Sequence, residues 1–262
     1  MVGSVPLDGM SVALRSEEFA EIRVIRGGRE VFSFAGKVNT LDSTFVTAYR
    51  SEVTSNSDVN NFKRIILLRF RSGTYLFQDV DVVPDDVSVD ETAVTMVLLK
   101  NFTASTSGTI DNVVMICDGK FYTRVSFPPV QVNANDQVIF RYVAKLYLTM
   151  SNPSGILSDA VSSFTGLVKR IYYRLKGTET RSLRIASVQF VDSQGNVVLS
   201  VSTNNDSTNY IVRIPSTAVT RTIEVKTIRL CDSSGIELIR FTKPEPILIP
   251  ATSSVRLSIA IQ

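Results

Sequence analysis

The run Asn112-Val113-Val114-Met115-Ile116-Cys117-Asp118-Gly119 returns as Lys226-Thr227-Ile228-Arg229-Leu230-Cys231-Asp232-Ser233-Ser234-Gly235. In both places an apolar run ends in Cys-Asp and a glycine turn. A second strand-like run follows and closes at Phe127 or Phe241. Each is trailed by prolines, Pro128-Pro129 and Pro244-Glu245-Pro246. A last apolar run ends each copy, Val138 to Leu148 and Val255 to Ile261. Short apolar runs bounded by Asp, Ser, Gly and Pro are strand signals, so the chain reads as a duplicated β-rich unit. The copies are spaced more widely than the roughly 20–50 residues of a solenoid repeat, and each suits a small domain of roughly 100–150 residues.

Upstream of the first copy the pattern Ile22, Val24, Gly27-Gly28, Val31, Phe32, Phe34 predicts a β-hairpin about the glycine pair. Thr40 to Val53 changes period. Leu41, Phe45, Ala48, Tyr49 and Glu52-Val53 recur at three and four residues, with Asp42 and Ser43 as first-turn acceptors, which predicts a short helix. Lys63 to Phe70, Tyr75 to Val83 and Val94 to Phe102 read as strands. Asp111 to Cys117 and Phe121 to Phe127 read as a hairpin about Asp118-Gly119.

Asn152-Pro153-Ser154-Gly155 is a set of breakers and the expected boundary. Beyond it Leu157, Val161, Phe164, Val168, Ile171 and Leu175 recur at helical spacing, with Ser158 and Asp159 as caps and Gly177 to close the helix. Leu183 to Val191, Tyr210 to Ile214, Arg221 to Cys231, Ile236 to Phe241 and Val255 to Ile261 complete the strands. The expected fold is mainly β: two tandem β-sandwich domains, jelly-roll or immunoglobulin-like, each with a short helix. Residues 1–152 would hold an N-terminal arm and the first sandwich, and residues 153–262 the second. The arm is residues 1–18, where Gly3, Pro6, Asp8 and Gly9 interrupt any apolar period.

Hydrophobic residues make up 44% of the 262 and charged residues 20%, enough apolar surface for packed cores. The net charge of +3 does not demand an anionic partner, so no direct nucleic-acid binding is expected. No apolar run reaches the roughly 18–20 residues of a membrane-spanning helix. The opening Met-Val-Gly-Ser-Val-Pro also lacks the segments of a signal peptide, so a soluble chain is expected. Cys117 and Cys231 hold equivalent positions in separate copies, which favours one buried thiol in each over a disulfide.

There is no histidine, which excludes Ser-His-Asp and Cys-His catalysis and every His-containing zinc site. The glycine patterns that cradle nucleotide phosphates are absent as well. No catalytic, cofactor-binding or metal-ligating residue is assigned, and the chain reads as a non-enzyme. The oxygen-rich stretch Asp79, Asp81, Asp85, Asp86, Asp90 and Glu91 is the best candidate for a calcium ion or a carboxylate pair, with a solvated sheet face as the alternative. Three basic clusters stand out: Arg23, Arg26 and Arg29; Lys63, Arg64, Arg69 and Arg71; and Lys169, Arg170, Arg174 and Lys176. Acidic residues scattered among them favour solvated faces or subunit contacts. Asn101-Phe102-Thr103 and Asn205-Asp206-Ser207 match the N-glycosylation pattern.

The run Leu157-Ser-Asp-Ala-Val-Ser-Ser-Phe164 and the hairpins Phe190-Val-Asp-Ser-Gln-Gly195-Asn196 and Leu230-Cys-Asp-Ser-Ser-Gly235-Ile236 resemble virion structural proteins of tailed and archaeal viruses. Such proteins string small β-sandwiches whose late strands end in Asp-x-x-Gly, then a proline-containing loop and a closing strand. The likeness touches both halves from about residue 40, and the first copy departs from it because its Asp118-Gly119 turn is two residues shorter. It implies a capsid, turret, spike or tail component located in the virion, without catalytic residues or cofactors, partnered by copies of itself and by other virion proteins. The alternative is a carbohydrate-binding or adhesive module on an extracellular surface, with a host-surface glycan as partner.

Overall fold

The computed structural model describes the chain except residues 1–3, 39–40, 119, 152–156, 204, 206–208 and 262. Strand makes up 58% and helix 13%, so the protein is mainly β. The first element is the long strand β1 (Ser4–Arg26), which turns at Gly27-Gly28 into β2 (Arg29–Val38). Both glycines have positive φ, 55° and 79°, as a two-residue hairpin turn requires. Helix α1 (Ser43–Val53) follows, with the Asp42 carboxylate accepting from the Thr44 N–H at 2.8 Å as its N-cap.

Next come β3 (Ile65–Ser72), β4 (Tyr75–Asp81), a 3-10 turn at Pro84–Asp86, β5 (Val87–Asp90), β6 (Thr95–Thr103), β7 (Gly108–Cys117), β8 (Lys120–Val132) and β9 (Gln137–Ser151). The second copy runs β10 (Val161–Ser163), α2 (Thr165–Lys176), β11 (Ser187–Val191), β12 (Val197–Ser202), β13 (Asn209–Ile214), β14 (Ile223–Cys231), β15 (Glu237–Ile249) and β16 (Ser254–Ile261).

The sequence repeat is a repeat of topology. One sheet has the order β4-β3-β7-β8, and another has β12-β11-β14-β15 with β10 added outside β15. The Cys-Asp hairpins are β7-β8 and β14-β15, all antiparallel. The third sheet joins the copies in the order β13-β16-β1-β9-β6-β5, with β2 also paired to β1. In it β6 lies antiparallel on β9, and β13 lies antiparallel on β16 in the matching place.

Between them runs β1, antiparallel to β9 from Ser11↔Ser151 to Ile25↔Gln137 and parallel to β16 from Ser4↔Ser254 to Val12↔Ile261. The arm expected over residues 1–18 is therefore strand from Ser4 onward. Its local apolar period is poor, and long-range backbone pairing to β16 and β9 supplies the order instead. The expected boundary at Asn152–Gly155 lies outside the described residues.

Two further expectations change. The proline pairs do not end strands. On β8 the pairing jumps from Asn112↔Ser126 to Ile110↔Val130, and on β15 from Thr227↔Thr242 to Val225↔Ile247. Pro128-Pro129 and Pro244-Pro246 thus sit in bulges at matching places, where a residue without an N–H costs the ladder nothing. The second helix begins later than Leu157. Val161–Ser163 instead pair with Arg240–Thr242, and Asp159 meets the Lys243 ammonium on β15 rather than capping a helix. Its end is as expected, with Gly177 left-handed at φ 96°.

A single apolar cluster runs through both copies. Phe70 of β3 meets Phe102 of β6 at 4.7 Å and Phe140 of β9 at 6.1 Å between ring centres, which packs the four-stranded sheet on the seven-stranded one. Phe45 of α1 sits edge-on to Phe62 and to Tyr122 of β8 at 4.9 and 4.8 Å, closing one end of that layer. Each such ring contributes about 1.5–3 kcal/mol by leaving water.

Candidate functional site

Helix α1 buries positions 45, 48, 49, 52 and 53, and α2 buries the same spacing at 167, 170, 171, 174 and 175, with Val168 and Tyr172 in addition. The fourth position is Glu52 in one and Arg174 in the other, and the two meet as an ion pair that is almost wholly buried. Glu52 also accepts from the Leu183 N–H at 2.9 Å and from the Asn61 N–H at 3.0 Å. Arg174 donates to the Asn60 side chain and lies 5.2 Å from the centre of the Phe62 ring. Burial pushes Glu52 up and Arg174 down toward their neutral forms, and their mutual contact opposes both shifts.

One turn earlier, Arg170 reaches Asp232 at 2.6 Å and the Ser182 carbonyl at 3.1 Å. Asp232 also accepts from the N–H groups of Ser234 and Ile236, both at 2.8 Å, so its copy of the Cys-Asp turn is tied into the junction. The first copy's Asp118 is exposed, has φ 44°, and pairs with Lys63 at 3.1 Å. Gly119 lies outside the described residues. Asn56 and Asn205 exchange side-chain and backbone bonds of 2.6 and 2.8 Å across the same junction. Tyr172 completes it, its hydroxyl accepting from the Leu146 N–H and donating to the Ala144 carbonyl at 3.1 Å, on the flank of β9 beyond the end of β6.

These groups hold structure together and leave little free chemistry. A cavity of about 260 Å³ opens beside them, lined by Asn60, Phe62, Lys63, Arg64, Arg174 and Glu179. Three of its charges pair with carboxylate or guanidinium partners, Arg174 with Glu52, Lys63 with Asp118, and Glu179 with Arg181, which draws the Glu179 carboxyl down to about 2, while Arg64 donates to the Val82 carbonyl at 3.1 Å.

A second polar cluster lies inside the first copy. Glu18 of β1 is 5% exposed and accepts from the Thr123 hydroxyl at 2.9 Å. The Tyr142 and Ser16 hydroxyls flank it, among the described residues no cation pairs with it, and burial raises its carboxyl above the usual range.

The acidic stretch does not converge. Asp79 forms a forked pair with Arg69, both bonds at 2.8 Å, and Asp86 pairs with Lys100 at 2.7 Å. Asp90 accepts from the N–H groups of Thr92 and Ala93 at 2.9 and 3.1 Å, and Glu91 pairs with Lys169 at 3.0 Å. Asp81 and Asp85 are left on the surface. Among the described residues no group of three or more acidic or cysteine side chains is placed to hold a metal ion. Several members of the basic clusters likewise pair with carboxylates, among them Arg26 with Asp136 at 2.8 Å and Arg23 with Glu21 at 3.2 Å.

Asn101 is exposed on β6, whereas Asn205 is buried and its amide donates to the Ser55 and Ile185 carbonyls, both at 3.1 Å. The second sequon is therefore closed to a glycan in the folded chain. Cys117 and Cys231 are both free and buried. Among the described residues no helix is long and apolar enough to cross a membrane.

Two strand edges carry exposed apolar side chains at matching places. β4 is outermost in the four-stranded sheet and β12 is outermost in the matching place of the five-stranded one. β4 opens with Tyr75, 81% exposed, and Leu76, 58% exposed, while β12 opens with Val197 at 48%. The tip before Tyr75 is held firmly: the Asp111 carboxylate accepts from the Gly73 N–H at 2.9 Å, and the Asn112 amide donates to the Gly73 carbonyl at 3.1 Å. No protein-family model matches the chain, and no curated protein or solved structure is significantly similar to it.

Proposed function

We propose that the chain is a non-enzymatic structural component of a virus particle that works by self-assembly and by docking to other structural subunits. In this reading each copy is a β-sandwich, the two in tandem share the sheet built on β1, and the virion is where the protein resides. The observation that carries the assembly part is the pair of open edges, β4 and β12, at equivalent places and led by Tyr75, Leu76 and Val197. An open edge with apolar side chains is a template for another strand, and a repeated one suits an oligomer with like contacts. The virion part rests on the likeness of the Asp-x-x-Gly hairpins.

A second reading, an adhesive or carbohydrate-binding surface module, is favoured by Tyr75 alone, an aromatic ring exposed on a firmly held tip. Sedimentation velocity and negative-stain microscopy of the full chain separate the two. Concentration-dependent rings, tubes or shells are expected. A monomer at every concentration that binds on a glycan array would overturn assembly in favour of adhesion.

A further inference from the structure

We infer that the outer face of the seven-stranded sheet, centred on Phe19 and Val143, docks a second copy of this chain about a twofold axis running along the strands between β1 and β9. The inference rests on the reading of the chain as self-associating, and it uses a surface other than the β4 and β12 edges.

Over Phe19–Arg23 the local strand order is β2-β1-β9-β6. Successive side chains on a strand point to opposite faces. Ala20, Ile22 and Val24 of β1 go to the core, as do Phe140, Tyr142 and Ala144 of β9. Their neighbours Phe19, Glu21, Arg141 and Val143 therefore share the outer face. The chain leaves that face open: Phe19 is 37% exposed and Leu99 of β6 is 52% exposed. Val97, Arg141 and Val143 are half-buried between them.

The rows read across the strands name the occupant. One row is Lys37-Phe19-Val143-Val97, and the next is Ala35-Glu21-Arg141-Leu99. The second row runs apolar, acidic, basic, apolar, so reversing it about its middle lays each charge on its opposite. Glu21 then faces Arg141 of the second copy, Ala35 faces Leu99, and Phe19 faces Val143. The row Glu17↔Lys145 matches its own reverse in the same way. A twofold axis across the strands would instead set Glu17 on Glu21 and Lys145 on Arg141, and repulsion between like charges disfavours it.

The charges are also available. Glu21 turns to Arg23 at 3.2 Å, and among the described residues Glu17, Arg141 and Lys145 form no ion pair within the chain. A face that complements itself about one axis fits an identical face, which is the isologous contact of a twofold dimer. Two sheets packed face to face keep their strands nearly aligned, as this axis requires. Four strands about 4.8 Å apart and seven residues at about 3.3 Å cover roughly 450 Å² per copy, so the pair lies at the small end of specific interfaces and its dimer depends on concentration.

The test exchanges charges on the full chain. Glu21→Arg and Arg141→Glu are made as single variants, one isotopically labelled, and together in one chain, with urea unfolding to show that each is folded. Sedimentation equilibrium and native mass spectrometry read the dimer. Each single variant sets like charges face to face and should weaken dimerisation at least about tenfold. Mixing the two should restore it as a dimer of one labelled and one unlabelled chain, because each introduced charge meets its opposite on the other chain. The double variant should dimerise again by itself. Singles that associate as wild type overturn the proposal, and if Leu76→Lys or Val197→Lys still reduces the oligomer, assembly through the edges stands. Singles that are weakened but not rescued by mixing overturn the twofold pairing in favour of a different partner on this face. Wild type that stays monomeric at every concentration overturns both this contact and the assembly reading.

Discussion

Glu52 of α1 and Arg174 of α2 occupy matching positions of two repeated helices and pair with each other in the interior, so the duplication contains its own asymmetry. A strictly symmetric pair of copies would place two like charges or two apolar groups at this point. The ion pair ties the two copies to each other, and the Arg170–Asp232 pair beside it holds α2 to the Cys-Asp turn of its own copy.

Arg174→Met leaves the Glu52 carboxylate buried without its cation, and the expected loss in urea denaturation at neutral pH is on the order of 3–5 kcal/mol. Glu52 can escape part of this by taking up a proton, so the loss should shrink as pH falls. Adding Glu52→Gln keeps an acceptor for the Leu183 N–H and removes the stranded charge. The double variant should therefore be more stable than Arg174→Met alone. A double variant whose loss equals the sum of the two single losses would show that the pair is not energetically coupled.

Glu18 predicts a stability that declines with pH. Its carboxyl is raised in the folded chain, mainly by burial, above the ordinary value of 4.5. The folded state therefore binds more protons than the unfolded state between the ordinary value and the raised one. Stability falls as pH rises through that window and stays at the lower level above it. Glu18→Gln should flatten the profile and gain stability at pH 7 to 8 relative to wild type. Urea midpoints from pH 4 to 8 decide it, and an unchanged slope in the variant refutes the assignment.

Much of this architecture is legible from residues, and the unread parts share one cause. The β7-β8 and β14-β15 hairpins, the Gly27-Gly28 turn, α1 and the end of α2 follow from local pattern: alternation, capping by Asp42, and a left-handed Gly177. What was hidden depends on partners far away in the chain. Ser4–Leu7 look irregular alone and become strand because Ser254–Leu257 lie beside them. Val161–Ser163 fit a helical stripe and go to the sheet because Arg240–Thr242 offer an edge. The prolines after Phe127 and Phe241 read as breakers, yet a bulge lets the strand continue past them. Arg174 reads as a cation complementing a helix end until Glu52 is seen opposite. A glutamate on the apolar stripe of α1 was the available signal for that pairing.

Cys117 and Cys231 should behave as inert thiols. Burial raises both, Cys231 to about 11, so neither is a thiolate near neutral pH. Labelling with a thiol reagent should be slow in native protein and should count two thiols in denaturant. Fast native labelling of either would mean that its strand end opens, and a mass two hydrogens short would mean that the two are joined.

The exposed edges give the last prediction, which tests assembly where the side chains are visible. Lysine on a strand edge opposes pairing with another chain because its charge must be desolvated or crowded against the incoming strand. Leu76→Lys and Val197→Lys replace exposed side chains on β4 and β12, so each should change folding stability by no more than about 0.5 kcal/mol. In sedimentation velocity each should shift the oligomer toward smaller species at matched concentration. The double variant should shift it further, because the edges belong to different copies and act independently. Added salt should restore part of the assembly by screening the new charges. If Leu76→Lys and Val197→Lys unfold normally yet sediment as wild type, neither edge carries the contact.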